Sequence, residues 1–143
     1  MSRADCELCN GPGGRVIHDD GRLRVVLVDE LDYPGFVRVI WNAHVPELTD
    51  LAPTERVYLM EVVFAVERCL RDVMMPRKIN VASLGNQTPH LHWHLVPRFA
   101  DDVHFPRPVW AERVRAPDPA TLAARRALLP LLEASIVAAL ATG

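Results

Sequence analysis

Short apolar runs rich in β-branched residues occupy positions 15–18, 23–29 and 36–42, separated by Asp19-Asp20-Gly21 and Tyr33-Pro34-Gly35. Runs of this length between turn-forming clusters predict three strands of an antiparallel meander. Pro53 and Glu55 then suit the first turn of a helix that carries Val57, Met60, Phe64 and Val73 and ends before Pro76. That helix is expected to lie across the sheet. Strand character returns over 78–85, and after the turn Gly85-Asn86-Gln87-Thr88-Pro89 a last strand runs over 90–98, paired with the one before it.

Beyond residue 98 the pattern changes. Pro106, Pro108 and Pro117 predict an extended segment over 100–117. Asp118 and Pro119 then suit the N-cap and first position of a C-terminal helical extension over 118–143, which Pro130 should kink or split. The expected fold class is α+β, one domain over residues 1–143, with an antiparallel sheet of about five strands and a packed central helix. At 143 residues and 50% apolar composition, such a domain buries a core without disulfides.

A net charge of −2 with interspersed signs gives no basic field for nucleic acid or a lipid surface, so neither is an expected partner, whereas a small anionic substrate is compatible. Charged residues interrupt every long apolar stretch, which argues against a membrane span. The polar start Met1-Ser2-Arg3-Ala4-Asp5 lacks a hydrophobic signal region, so a cytoplasmic location with reduced cysteines is expected.

The segment His90-Leu91-His92-Trp93-His94-Leu95-Val96 carries the most chemistry. In a strand, successive side chains point to opposite faces, so the three imidazoles would share one face, roughly 6.6 Å apart, with Leu91, Trp93 and Leu95 on the other. Ordinary exposed strand faces mix Lys, Thr, Glu and Arg instead. Three alternating imidazoles suit a phosphate-bearing ligand or a metal.

This alternation, followed by Pro97-Arg98, resembles the signature of the histidine triad (HIT) superfamily of nucleotide hydrolases and transferases. Cys6-x-x-Cys9, Asp29 at a strand end, Gly35, His44, a long helix and Gly85 follow in the same order, and the likeness covers roughly residues 5–98. The tail from Phe99 to Trp110 resembles a bacterial branch called diadenosine-polyphosphate-hydrolase-like. The resemblance implies a homodimer acting on a small-molecule nucleotide.

By the same resemblance, His92 is the nucleophile: its Nε2 attacks the α-phosphorus, forms a nucleotidyl-histidine, and water releases the nucleoside monophosphate. A main-chain carbonyl on the same strand would hold the Nδ1 proton. An ordinary pKa of about 6.5 leaves imidazole mostly neutral and nucleophilic near pH 7, and covalent catalysis divides one hard displacement into two. His94 would touch phosphate or leaving-group oxygens. Gly85 and Gln87 would present donors to the anion, Asn80 would sit near the phosphates, Asp29 would bind the ribose hydroxyls, and Leu27 would shape the base pocket. Cys6, Cys9, His44 and His90 offer two thiolates and two imidazoles at a spacing suited to structural zinc, while Cys69 is expected in the core. Arg98 is expected to be a solvated strand-terminal residue.

Two positions depart from the pattern. Phe36 stands where many relatives carry a histidine that helps pass protons, and Trp41-Asn42-Ala43 precedes His44 in place of the usual Pro-Lys. The leading function is cleavage of a nucleoside monophosphate from a phosphoramidate or a dinucleoside polyphosphate. Two alternatives stand beside it: a nucleotide-binding or sensing protein with little turnover, and a metal-dependent hydrolase whose triad holds a catalytic metal.

Overall fold

The computed structural model describes residues 3–141. Met1 and Ser2 of the expected polar start, and the last two residues of the 118–143 extension, lie outside them.

The five expected strands are β1 (Arg15–Asp19), β2 (Leu23–Leu27), β3 (Val37–Trp41), β4 (Lys78–Ala82) and β5 (His92–Arg98). All neighbours are antiparallel, in the order β1-β2-β3-β5-β4. Four α-helices accompany them among the described residues: α1 (Glu7–Asn10), α2 (Pro53–Met74), α3 (Pro119–Arg126) and α4 (Leu129–Ala141). The last strand is shorter than expected, because His90 and Leu91 precede β5. Gly35 turns the chain into β3 with φ +94°, and a Cβ there would meet Met74 and Pro97 at 3.1 and 3.3 Å. Only glycine fits both constraints.

Period-two alternation sorts the sheet into two faces. Leu23, Val25, Leu27, Val37, Val39, Trp41 and Leu95 pack against Leu59, Val62, Val63, Val66, Cys69, Leu70 and Met74 of α2. Each such aliphatic side chain, fully buried, stabilises by about 1.5–3 kcal/mol. Cys69 is core, as expected. Val57 and Phe64 are not: they are 62% and 53% exposed, because the buried stripe of α2 runs along the face defined by Leu59, Val62, Val66 and Leu70. The opposite face of the sheet gathers Val26 and Ile40 with Cys6 and Leu8 of the N-terminal segment.

Helices α3 and α4 meet at residues 127–128, with Pro130 in the first turn of α4, where its missing N–H costs no hydrogen bond. Leu132 and Ile136 of α4 are fully buried against α2, so this apolar helix packs on its own chain. No helix of the described residues is long and apolar enough to cross a membrane.

The 100–117 segment is a series of turns rather than extended chain. Within it Asp102 accepts hydrogen bonds from the backbone N–H groups of Phe99, His104 and Phe105. Asp102 also pairs with Arg98, whose Nε lies 2.8 Å from Oδ2. Tyr33 donates to Asp102 and meets His104 Nδ1 at 2.5 Å. Arg98 is therefore not the solvated strand end expected from its position: it is 3% exposed, and also donates to Asn80 and to the Arg107 carbonyl. Burial alone would raise the Asp102 pKa, but the Arg98 bond and the three N–H donors outweigh it and hold the carboxyl below its usual range.

Removing one partner of a buried ion pair leaves the other charge bare. Asp102→Ala should therefore destabilise the fold by about 3–5 kcal/mol, read as a lowered midpoint in urea unfolding; a change below about 1 kcal/mol would show that the pair contributes little.

Candidate active site and metal centre

The alternation around β5 divides the histidine segment as the pattern requires. Leu91 and Leu95 enter the helix-side core and Trp93 packs on it, while His92 and His94 turn to the opposite face. His92 donates from Nδ1 to the carbonyl of His90 at 2.5 Å. With the proton fixed there, Nε2 keeps the lone pair. His92 is 7% exposed and lines a cleft of about 470 Å³ together with Glu7, Leu8, Arg38, Leu84, Trp110, His94 and the 85–88 turn. Burial pushes its pKa down, helped by nearby Arg38 and opposed by the bond to His90.

His94 lies beside it, ring centroids 4.8 Å apart. Burial, the neighbouring His92 and the Arg38 charge lower its pKa to about 4. Its other ring neighbour is Phe36, edge-on at 5.6 Å. A phenyl ring accepts no proton, and His94 Nδ1 is buried without a hydrogen-bond partner. The replacement noted in the sequence thus has a direct structural counterpart.

His94 also lines a second, more apolar cleft of about 570 Å³, whose walls include Phe36, Asn80, Val96 and Val109. Arg38, Leu84, His94 and Trp110 belong to both clefts and join them. The turn below His92 is made possible by Gly85, at φ +81°, and Gln87 reaches the same cleft. Asn80 borders the second cleft, with its side-chain oxygen accepting from Arg98 at 2.8 Å.

Two expected ligand contacts are not brought together. Leu27, 5% exposed, points to the helix side of β2 and not to the histidine face, so it is not a wall of these clefts. A single step of alternation accounts for this, since Val26 next to it faces the other way. Asp29 stands exposed in the loop after β2, outside the lining of both clefts. Conversely, Arg38, Glu7 and Leu84 line the clefts although nothing in the sequence singled them out. Arg38 lies opposite His94 in the β3–β5 register, a pairing that no local sequence signal announces.

His90 belongs to a different cluster. Its Nδ1 lies 3.3 Å from Cys6 Sγ, 3.5 Å from Cys9 Sγ and 3.3 Å from His44 Nδ1, and Cys9 Sγ lies 3.3 Å from His44 Nδ1. All four ligand atoms fall within 4.8 Å of one another. Bond lengths of about 2.0 Å to nitrogen and 2.3 Å to sulfur give tetrahedral edges of about 3.3–3.8 Å, so the donor set fits a four-coordinate ion. His90 Nε2 donates to the Trp41 carbonyl at 2.5 Å, which leaves Nδ1 as the lone-pair nitrogen, the orienting bond that metal-binding histidines usually have. Arg24 ties the same segment to β2 by donating to the carbonyls of Leu8, Gly11 and Pro12. Since His90 joins the cysteines, the three histidines do not converge on one ion.

Comparison with known proteins agrees with this architecture. The HIT domain pattern matches residues 13–101, and the chain belongs to that family. An AP-4-A phosphorylase of Mycobacterium tuberculosis is 32% identical over 92 residues, 59% of this chain and 47% of that protein. An asymmetrical bis(5'-nucleosyl)-tetraphosphatase of Schizosaccharomyces pombe is 34% identical over 70 residues, 46% of this chain and 38% of that protein. The chain thus spans less than half the length of these curated relatives. A histidine triad protein from Bradyrhizobium japonicum superposes with a TM-score of 0.70 at 25% identity, covering 87% of this chain and 89% of that one. A zinc-bound histidine triad family protein from Mycobacterium smegmatis shares the fold at TM-score 0.66 and 22% identity, covering 99% and 100%.

The lowered pKa of His94 has a stability consequence. Unfolded, the ring titrates near 6.5; folded, near about 4. Between those values the unfolded chain takes up a proton that the folded chain refuses, so His94's contribution is present above about pH 6.5 and lost as pH falls toward 4. Urea unfolding at pH 7.5 and 4.5 should show a smaller acid loss in His94→Gln than in the parent; identical losses would contradict the assignment.

Proposed function

We propose that this HIT-family protein is a nucleotide hydrolase or transferase that releases a nucleoside monophosphate through a nucleotidyl-histidine on His92. The observation that carries this reading is the hydrogen bond from His92 Nδ1 to the His90 carbonyl, which keeps the opposite nitrogen unprotonated in a residue that lines a cleft. In the first step Nε2 forms a bond to the α-phosphorus and the bond from phosphorus to the leaving-group oxygen or nitrogen breaks. Water then attacks the same phosphorus, and Nε2 leaves with its electron pair. His94 and the backbone donors of the turn at Gly85 hold the phosphate oxygens, with Gln87 beside them. Asn80, which borders the larger cleft, is a secondary candidate for a contact to phosphate. The names of the similar phosphorylase and tetraphosphatase support a dinucleoside polyphosphate as substrate.

His92→Ala should abolish AMP release from diadenosine tetraphosphate and from adenosine phosphoramidate while leaving the fold intact by circular dichroism; equal rates in parent and variant would remove the nucleophile assignment. A second reading, nucleotide binding with slow turnover, is favoured by one feature: the ring of Phe36 stands edge-on to His94, whose buried Nδ1 has no hydrogen-bond partner. Rapid-mixing kinetics separates the two readings. An enzyme slowed at the second step gives a burst of leaving group followed by a slow steady state, and a binding protein gives neither.

Zinc is the proposed ion for Cys6, Cys9, His44 and His90, in a closed structural site that activates no water. It would fasten α1, with Glu7 and Leu8, over the cleft. Elemental analysis should find about one zinc per chain, lost in Cys6→Ser together with thermal stability; a fully folded metal-free parent would contradict this. A cytoplasmic homodimer is the corresponding proposal for location and assembly, and light scattering tests the assembly.

A further inference from the structure

Arg38 is the one strong positive charge at the junction of the two clefts, and its surroundings are unusual for arginine. It sits on β3 directly opposite His94. Its Nη1 donates to the Gly13 carbonyl at 3.0 Å, but Nε is buried with no hydrogen-bond partner, and no carboxylate forms an ion pair with it among the described residues. A buried donor without an acceptor costs about 1–3 kcal/mol, more when charged. Arg38 as a whole is only half-buried and lines both clefts, which places a guanidinium without a carboxylate ion-pair partner where an anion can enter from outside.

The clefts themselves differ. One holds His92 and the Gly85–Thr88 turn; the other is larger and apolar, with Phe36 and the exposed Trp110 offering ring surfaces and Lys78 at its far wall. A nucleoside phosphoramidate with a small amine leaving group would need only the first. A ligand with a nucleoside at each end of a phosphate chain would occupy both, and its middle phosphates would cross at Arg38.

Building on the hydrolase reading above, we propose that Arg38 is a specificity-determining residue that binds the leaving-group phosphates and so favours a dinucleoside polyphosphate over a phosphoramidate at this site. The larger cleft is the subsite for the departing nucleotide. Arg38 holds the oxygens of that nucleotide through its guanidinium and does not touch the attacking nitrogen.

The test compares Arg38→Met and Arg38→Lys with the parent on diadenosine tetraphosphate and adenosine phosphoramidate. In Arg38→Met, kcat/KM for the tetraphosphate should fall about 10- to 100-fold, the range of one charge-assisted hydrogen bond, while the phosphoramidate changes less than about threefold, and Arg38→Lys should recover part of the loss. Equal losses on both substrates, or none on either, would overturn the assignment. Calorimetry in a His92→Asn background supplies a readout that needs no turnover: diadenosine tetraphosphate should bind more tightly than AMP, and Arg38→Met should erase that preference. If the parent cleaves neither substrate, the hydrolase reading fails, and this binding ratio still decides the role of Arg38. A preference unchanged in Arg38→Met sinks it.

Discussion

His90 is the residue on which the site depends, because it is held at three points. Its Nε2 donates to the Trp41 carbonyl, its Nδ1 faces the two cysteines and His44, and its own carbonyl accepts the proton of His92. The first bond fixes the ring, the second gathers the N-terminal segment, and the third sets the tautomer of the residue that faces the cleft. Local backbone and long-range side-chain geometry are thus coupled through one position, so an error in either would be felt at His92. Sheet packing supplies the rigidity: Leu91 and Leu95 anchor the same stretch in the core.

Much of this was legible in the sequence because period-two patterning is a strong signal. The five strands, their antiparallel pairing, the long helix and the separation of the histidines from Leu91, Trp93 and Leu95 all follow from it. The grouping of Cys6, Cys9, His44 and His90 rested on spacing and resemblance, and the geometry agrees. Alternation also explains the miss at Leu27, where the neighbouring residue faces the histidine side. The α2 stripe was harder to place: Val57 and Phe64 are apolar but outward-facing, and a helix with apolar residues on several sides does not announce its buried face.

What the sequence could not convey is pairing across distance. Arg98 looked like a solvated strand end until Asp102 and Tyr33 closed around it. Arg38 carries no signal of its own in the sequence, and its meaning comes from the register that sets it against His94 and from the two clefts that meet there. Phe36 sets a hydrocarbon ring edge-on to His94, and Arg38 sets a permanent charge opposite it.

The HIT match ends at residue 101, one position before the carboxylate that neutralises Arg98. A domain drawn at that limit would cut the ionic clasp in two and strand a guanidinium inside the protein. It would also take away Val103 and Val109, which pack beside Tyr33, Phe36 and Val96, and with them one wall of the larger cleft. The packing around Arg98 and the larger cleft thus reaches past the stretch that defines the chain's kinship.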